Sequence, residues 1–315
     1  MKYQILPRNT FVVEGITDLS STLLFYSAGP LFCSFFFSYS SISLSLVNVI
    51  NIILFPLDLI YKSLRQRTNR VYNVSNQYWL ERSSRLYLFD GKSHRWKLFS
   101  EFFGSQPLQT CYFMNSILYG VYCRNPYRLP IQVYKTSFVD AKRSIMVNLP
   151  LGRHIHSIFF DQYDRCFYCC IGDRPGESCI LRFSLYWQLI ETLPIPEEYS
   201  RVIALKPYKE FIVFATDNPE TPNSVCIYQK ASKVTTRYAQ ISGPVYSMTS
   251  SPNGDILSII SSKENQRHNL QVLTFSVMHD SCSLSILQSS FVKSSSKKSI
   301  ARVYFTSNRL LVQLS

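Results

Sequence analysis

Apolar and polar residues alternate along this chain in short runs interrupted by turn signals, and no window holds an apolar stripe at helical period over several turns. The pattern is clearest from Arg153 to Pro194, RHIHSIFFDQYDRCFYCCIGDRPGESCILRFSLYWQLIETLP. It predicts four strands, at Ile155–Phe160, Cys166–Ile171, Cys179–Ser184 and Trp187–Thr192. The breaks are Asp161-Gln-Tyr-Asp164, then Gly172-Asp173-Arg174-Pro175-Gly176, then a turn near Leu185. Aromatic and β-branched residues dominate each run, as a pleated, packed surface requires. Four such strands on short turns form one antiparallel meander.

The third strand of that meander recurs. Leu86–Phe89, Ile131–Tyr134, Ile180–Phe183, Val225–Tyr228 and Gln271–Phe275 follow one another at about 46 residues, a blade-sized period. One period further back falls Ile42-Ser-Leu-Ser-Leu46. The chain therefore divides into blades at Ser21–Phe55, Arg70–Phe99, Pro107–Leu149, Arg153–Pro194, Arg201–Ile241 and Pro244–Leu287. The remainder supplies two strands at each end, Tyr3–Leu6 and Phe11–Glu14 with Ala301–Phe305 and Leu310–Leu314. Pairing them completes a further blade and removes the exposed sheet edges. The expected fold is all-β, a seven-bladed β-propeller in one domain over residues 1–315, with six blades as the runner-up. Residues 58–69 read as an inter-blade insertion and 291–299 as a flexible connector.

Composition supports a packed core, with 46% hydrophobic and 15% aromatic residues. The 33 Lys and Arg against 20 acidic residues give a net charge of +13, which favours anionic partners in general but is dispersed, apart from Lys62–Arg70 and Lys293–Lys298. Nine cysteines, an odd number, lie mostly within apolar strand patterns, where a thiol packs as a small hydrophobe. With no secretory leader in the opening MKYQILPRN, they imply a reducing, cytoplasmic compartment. Leu31–Tyr61 is long and apolar enough to raise membrane association as a rival. Its Ser and Asn content, its alternation at 42–46 and Pro56 suit strands better, so membrane contact is not expected.

A propeller sorts its loops onto two faces, because successive strands run in opposite directions. The loops at Arg124–Arg128, Gly172–Glu177, Thr216–Asn223 and Lys263–His268 share one face and carry most of the polar side chains. Arg70, Arg153, Arg201 and Arg302 open the innermost strands of four blades and would rim one end of the channel. Arginine suits bidentate capture of carboxylate or phosphate; alternatively each pairs with a loop carboxylate such as Asp173 or Asp217 and ties blades together. His154 and His156, two apart on a strand, join the arginines as candidate ligand-binding residues. With Asp173 or Glu177 they are the one conceivable metal set, but an H-x-H in a strand more often packs, so no metal and no cofactor are assigned. Asp173, Glu177 and Asp217 are the candidate acids for hydrolytic chemistry.

The series GVYCRNPYRLPIQVYKTS, RHIHSIFFDQYDRCFYCCIGDRPGESCILRFS, SRVIALKPYKEFIVFATDNPETPNSVCIYQ and ISGPVY resembles the sialidase-like propeller proteins of prokaryotes, of the BNR or Asp-box type, many of them uncharacterised glycosyl hydrolases. The likeness covers about Arg70 to Ser262, and the Asp-box hairpins survive only as traces such as Asp90-Gly91 with Trp96. It implies a propeller whose recurrent positions fall on Arg153, His154, His156, Asp161, Gly172, Asp173, Glu177, Arg201, Asp217 and Pro219. The functional expectation is an anionic or carbohydrate ligand on the loop-rich face. The alternatives are a glycoside hydrolase using an Asp/Glu pair there, or a protein-interaction scaffold; no specific nucleic acid is expected.

Overall fold

The computed structural model describes residues 3–5, 10–14, 23–27, 34–38, 68–74, 77–82, 84–90, 92, 95–103, 107–150, 152–218, 222–251, 253–262, 269–293, 301–305 and 310–314. Contacts divide the chain into two compact units, one of Met1–Gln106 with Tyr304–Ser315 and one of Pro107–Val303.

In the second unit sixteen strands form four antiparallel meanders. These are β9–β12 (Thr110–Phe113, Ser116–Gly120, Ile131–Ser137, Arg143–Leu149) and β13–β16 (Ile155–Asp161, Cys166–Ile171, Cys179–Ser184, Leu189–Thr192). They continue with β17–β20 (Val202–Pro207, Phe211–Thr216, Asn223–Gln229, Val234–Ile241) and β21–β24 (Val245–Ser250, Ile256–Ser262, Asn269–Met278, Ser283–Lys293). The four repeats at 131, 180, 225 and 271 are the third strands β11, β15, β19 and β23, as the period requires. A single 3-10 turn, Glu197–Tyr199, is the only helical element among the described residues.

Burial follows position in each sheet. All six residues of β14 (CFYCCI) and of β18 (FIVFAT) are buried, because each second strand is covered on both faces. The outer strand β16 is mostly exposed. One apolar cluster packs β9–β12 against β13–β16 around Val133, Ile158, Phe167 and Phe183; a second joins β13–β16 to β17–β20; a third joins β17–β20 to β21–β24. Inner strands β13, β17 and β21 neighbour one another in that order. Gly120, on β10, marks a close approach between two sheets: a Cβ there would lie 2.2 Å from the Cβ of Ile155.

One predicted boundary moves. The last strand of the Arg153 meander begins at Leu189 rather than Trp187, because Trp187 takes a left-handed conformation, φ 63, and its N–H donates to the Ser184 carbonyl. The indole then stacks on Phe167 at 4.7 Å, so its aromatic character serves the core rather than a strand.

The first unit carries a seven-stranded sheet in the order β4-β3-β2-β5-β6-β7-β8. Its members are Thr10–Glu14 (β2), Leu23–Ser27 (β3), Ser34–Ser38 (β4), Thr68–Val74 (β5), Gln77–Arg82 (β6), Arg85–Asp90 (β7) and Arg95–Glu101 (β8). β5–β8 is the meander expected from Arg70, and the repeat at 86 is its third strand β7. The chain ends share a sheet: Tyr3–Ile5 (β1) runs parallel to Leu310–Leu314 (β26), which neighbours Ala301–Phe305 (β25). This sheet has three strands rather than the expected four, because Thr10–Glu14 pairs with Leu23–Ser27 and, in parallel, with Val71–Tyr72. Ser34–Ser38 is a strand within the apolar 31–61 segment, while the expected strand at 42–46 and most of the 58–69 insertion lie outside the described residues. No helix among the described residues is long and apolar enough to cross a membrane. The segment at 291–299 begins as strand, since β24 runs to Lys293.

Candidate functional site

The polar cluster of interest lies in the second unit, where the starts of β13 and β17 meet the loops after β10, β14 and β18. Inner strands share a device at this point. β13, β17 and β21 each bulge one or two residues from their start, between Ile155 and Ser157, Val202 and Ala204, and Val245 and Ser247. In β13 the bulged residue is His156. Two apart along the strand, His154 and His156 face the same side, and their rings stack with centroids 4.8 Å apart.

The loop after β14 brings the carboxylate to them. Gly172 has φ +81, and a Cβ there would lie 2.2 Å from the Glu177 carbonyl oxygen, so only glycine turns the chain this tightly. Its N–H donates to the His154 carbonyl at 3.1 Å. Glu177 braces the loop: its Oε1 accepts the Asp173 N–H at 3.4 Å, and Oε2 pairs with Arg128 at 3.0 Å. Arg128 is held by its own loop, which Asn125 closes by accepting the Leu129 N–H at 2.9 Å and donating to the Leu129 carbonyl at 2.8 Å.

Asp173 thus sits at the centre. Its Oδ1 lies 3.1 Å from His154 Nε2 and 3.0 Å from His156 Nε2, and these two nitrogens are 2.9 Å apart. Arg153 pairs with Oδ2 at 3.2 Å and donates from Nε to the Arg124 carbonyl at 3.0 Å. Arg201 bridges two carboxylates from one nitrogen, Asp173 Oδ1 at 3.4 Å and Asp217 Oδ2 at 3.2 Å, and its Nη1 donates to the Asp173 carbonyl. The ring of Tyr122 covers His154 at 4.2 Å.

Both histidines are buried, His154 at 5% and His156 at 2% exposure. Burial lowers the proton affinity of His156, an effect that the nearby Asp173 charge only partly opposes. For Asp173, burial acts to raise the carboxyl, but hydrogen bonds from His154 and His156 outweigh it and hold the group well below the usual carboxylate range. Burial, with the charges of Asp173 and Asp217, raises the Tyr122 phenol.

Of the sequence-predicted site residues, Arg153, His154, His156, Asp173, Glu177, Arg201 and Asp217 converge here. Arg70 and Arg302 lie on β5 and β25, and their side chains fall outside the described residues, as does the expected loop Lys263–His268. The pairing of Arg153 and Arg201 with Asp173 and Asp217 is the tie between blades that the sequence offered as its alternative. Sequence reasoning missed Tyr122, Cys123 as a carbonyl acceptor, and the specific partnership of Arg128 with Glu177. For Arg128 and Glu177 the signal was their place in the loop-rich face, while Tyr122 and Cys123 precede the loop at Arg124–Arg128 and read as part of the apolar strand.

No known sequence family matches this chain, and neither does any curated protein. Solved structures do. The extracellular domain of a "putative one component system" from B. thetaiotaomicron superposes with a TM-score of 0.55 at 13% identity, over 98% of this chain and 38% of that one. A "putative 6-phosphogluconolactonase" from Bacteroides uniformis gives 0.54 at 15% identity, over 75% of this chain and 74% of that one. One from Bacteroides fragilis, described in the same words, gives 0.53 at 13%, over 73% and 70%. The fold is all-β and propeller-like. At these identities the likeness is one of fold and carries no activity across. In other matched structures the chain likewise spans only part of the length, 66% in one and 54% in another.

Proposed function

We propose that this chain is a propeller-type protein that binds a small anionic ligand, of the sugar-acid or phosphate class, on the face where Asp173 meets His154 and His156. The blade count implied by the period, seven with the two chain ends sharing one blade, belongs to the same proposal. It is supported by the pairing of Tyr3–Ile5 with Leu310–Leu314.

The supporting observation is a local surplus of positive charge. Among the described residues, Arg124, Arg128, Arg153, Arg174 and Arg201 stand in or beside these loops with Asp173, Glu177 and Asp217 to balance them. Arg153 spends Nε and Nη1 on Arg124 and Asp173, leaving Nη2 without a partner among the described residues on a side chain 32% exposed. An arginine already oriented by a carboxylate is pre-organised for an incoming anion. Tyr127, 85% exposed beside Arg128, offers a face on which a sugar ring could lie.

Acid catalysis by Asp173 fits less well. A glycosidase acid must hold its proton near neutrality, whereas the two histidines keep Asp173 ionised, and Glu177 is tied to Arg128. The Asp-box kinship is retained at the level of fold only.

Calorimetry and array screening with sugar acids and sugar phosphates test the reading. Arg153→Ala with Arg174→Ala should weaken binding at least tenfold while the melting temperature stays within a few degrees, because both side chains are partly or fully exposed. Unchanged affinity in that variant would end the proposal.

A further inference from the structure

We propose that His154, His156 and Asp173 form a binding site for one divalent transition-metal ion. The three donor atoms, His154 Nε2, His156 Nε2 and Asp173 Oδ1, are separated by 2.9, 3.1 and 3.0 Å. Metal–ligand bonds of about 2.0–2.2 Å meeting at right angles place neighbouring donors about 2.8–3.1 Å apart, so these atoms have the spacing of three ligands on one face of an octahedron.

Proton positions sharpen the case. His154 Nδ1 lies 3.1 Å from the Cys123 carbonyl, and a carbonyl only accepts, so Nδ1 carries the hydrogen. In the neutral ring Nε2 then presents a lone pair, aimed at a carboxylate oxygen 3.1 Å away. A hydrogen bond from His154 Nε2 to Asp173 Oδ1 therefore needs a second proton on that ring, and a metal cation can take the place of that proton. A cation capping the triangle, out of its plane, meets all three donors at about 2.0–2.2 Å. A histidine whose outer ring nitrogen donates to a backbone carbonyl is also the usual support of a metal ligand. Arg153 holds the far oxygen, Oδ2, at 3.2 Å, while Arg201 lies 3.4 Å from the donor oxygen Oδ1 itself, and His156 Nδ1 stays buried without a partner.

Two imidazoles and a carboxylate select ions such as Zn2+, Co2+, Fe2+ or Mn2+ over Ca2+ and Mg2+, which prefer oxygen ligands. The second cluster of donors, Asp161, Asp164 and Cys166, differs, because the Lys230 ammonium already sits 2.6 Å from Asp161 and 3.1 Å from Asp164. Three protein ligands on one face leave coordination positions open. With the neighbouring guanidinium groups, these would hold an anion, although the metal assignment stands without that.

Full-length protein, stripped with a chelator and kept reduced, is titrated with Co2+ alone and separately dialysed against Zn2+. Expected are visible d–d bands saturating at one equivalent, no thiolate-to-cobalt charge transfer, and about one zinc per chain by elemental analysis. His154→Gln and Asp173→Asn should each weaken uptake by more than the roughly 10–100-fold that follows loss of a supporting hydrogen bond, while His279→Gln leaves it unchanged. Folded wild-type protein that takes up neither ion overturns the proposal, whatever the variants do. So does a thiolate charge-transfer band, which would place the metal on cysteine, or uptake that survives both substitutions.

Discussion

Replacing Asp161 by alanine separates the energetics of the opposite face from those of the site. Asp161 is fully buried at the turn between β13 and β14, where Oδ1 accepts the N–H groups of Tyr163 at 2.8 Å and Asp164 at 3.2 Å. Its Oδ2 receives the Lys230 ammonium at 2.6 Å, a contact between two neighbouring meanders with Lys230 only 13% exposed. Alanine leaves that ammonium with Asp164, 3.1 Å away and shared with Arg182 at 3.0 Å. Lys206 suffers as well: burial already lowers its proton affinity, and Asp161 is the charge that opposes this. Breaking a buried pair costs about 3–5 kcal/mol, and the residual Asp164 contact puts the expected loss at about 3 kcal/mol. In a unit of about 200 residues that is a fall of roughly 6–12 °C in melting temperature, read by circular dichroism. Asp161→Asn should lose less, since it keeps an acceptor for the two turn N–H groups, and Asp161→Asn with Lys230→Met should recover most of the loss. A cost under about 1 kcal/mol for Asp161→Ala, the range of a surface pair, would refute the reasoning.

Gly172→Ala should destabilise by about 2–4 kcal/mol and abolish metal and anion binding together, because a Cβ meets backbone at Glu177 and Ser178 and φ is +81; a variant that binds as wild type would show the Asp173 loop to be tolerant. Arg201→Ala should lower stability by more than Arg153→Ala, since Arg201 ties Asp173 to Asp217 whereas Arg153 is the more exposed, and equal melting temperatures would contradict this. Burial raises the thiols of Cys170 and Cys226 to about 12 and that of Cys179 to about 11. These folded-state values exceed the unfolded one, so their contribution is complete below about pH 9 and is lost as pH rises through 11–12, where the unfolded chain binds fewer protons. Denaturation midpoints under reducing conditions should therefore fall between pH 8 and 11, and Cys226→Ala should flatten the slope; an unchanged slope would show that this thiol does not contribute.

The sequence by itself determined the strands and their grouping. Runs such as Cys166–Ile171 and Phe211–Thr216 are continuous and apolar because both faces are covered, and the recurrence of a third strand at 86, 131, 180, 225 and 271 is a local pattern repeated in register. It also placed Arg153, His154, His156, Asp173, Glu177, Arg201 and Asp217 on one face, where the structure brings them together, since loop polarity and strand direction sort residues onto a face without knowledge of distance.

Tertiary structure decided what those residues do to one another. Whether Arg201 faces solvent or bridges Asp173 and Asp217 depends on two loops from different meanders, and no spacing along the chain encodes that separation. His154 and His156 share one side as their two-residue spacing predicts, across a register shift between Ile155 and Ser157, whereas Trp187 leaves its strand because a left-handed turn and Phe167 claim it. The partition of the ends was hidden for the same reason. Thr10–Glu14 and Tyr3–Ile5 have similar strand propensity, and only the availability of partner edges sends one to Leu23–Ser27 and the other to Leu310–Leu314. Propensity is a property of a segment, whereas pairing and ligation are properties of pairs and triples that meet only when the chain has folded.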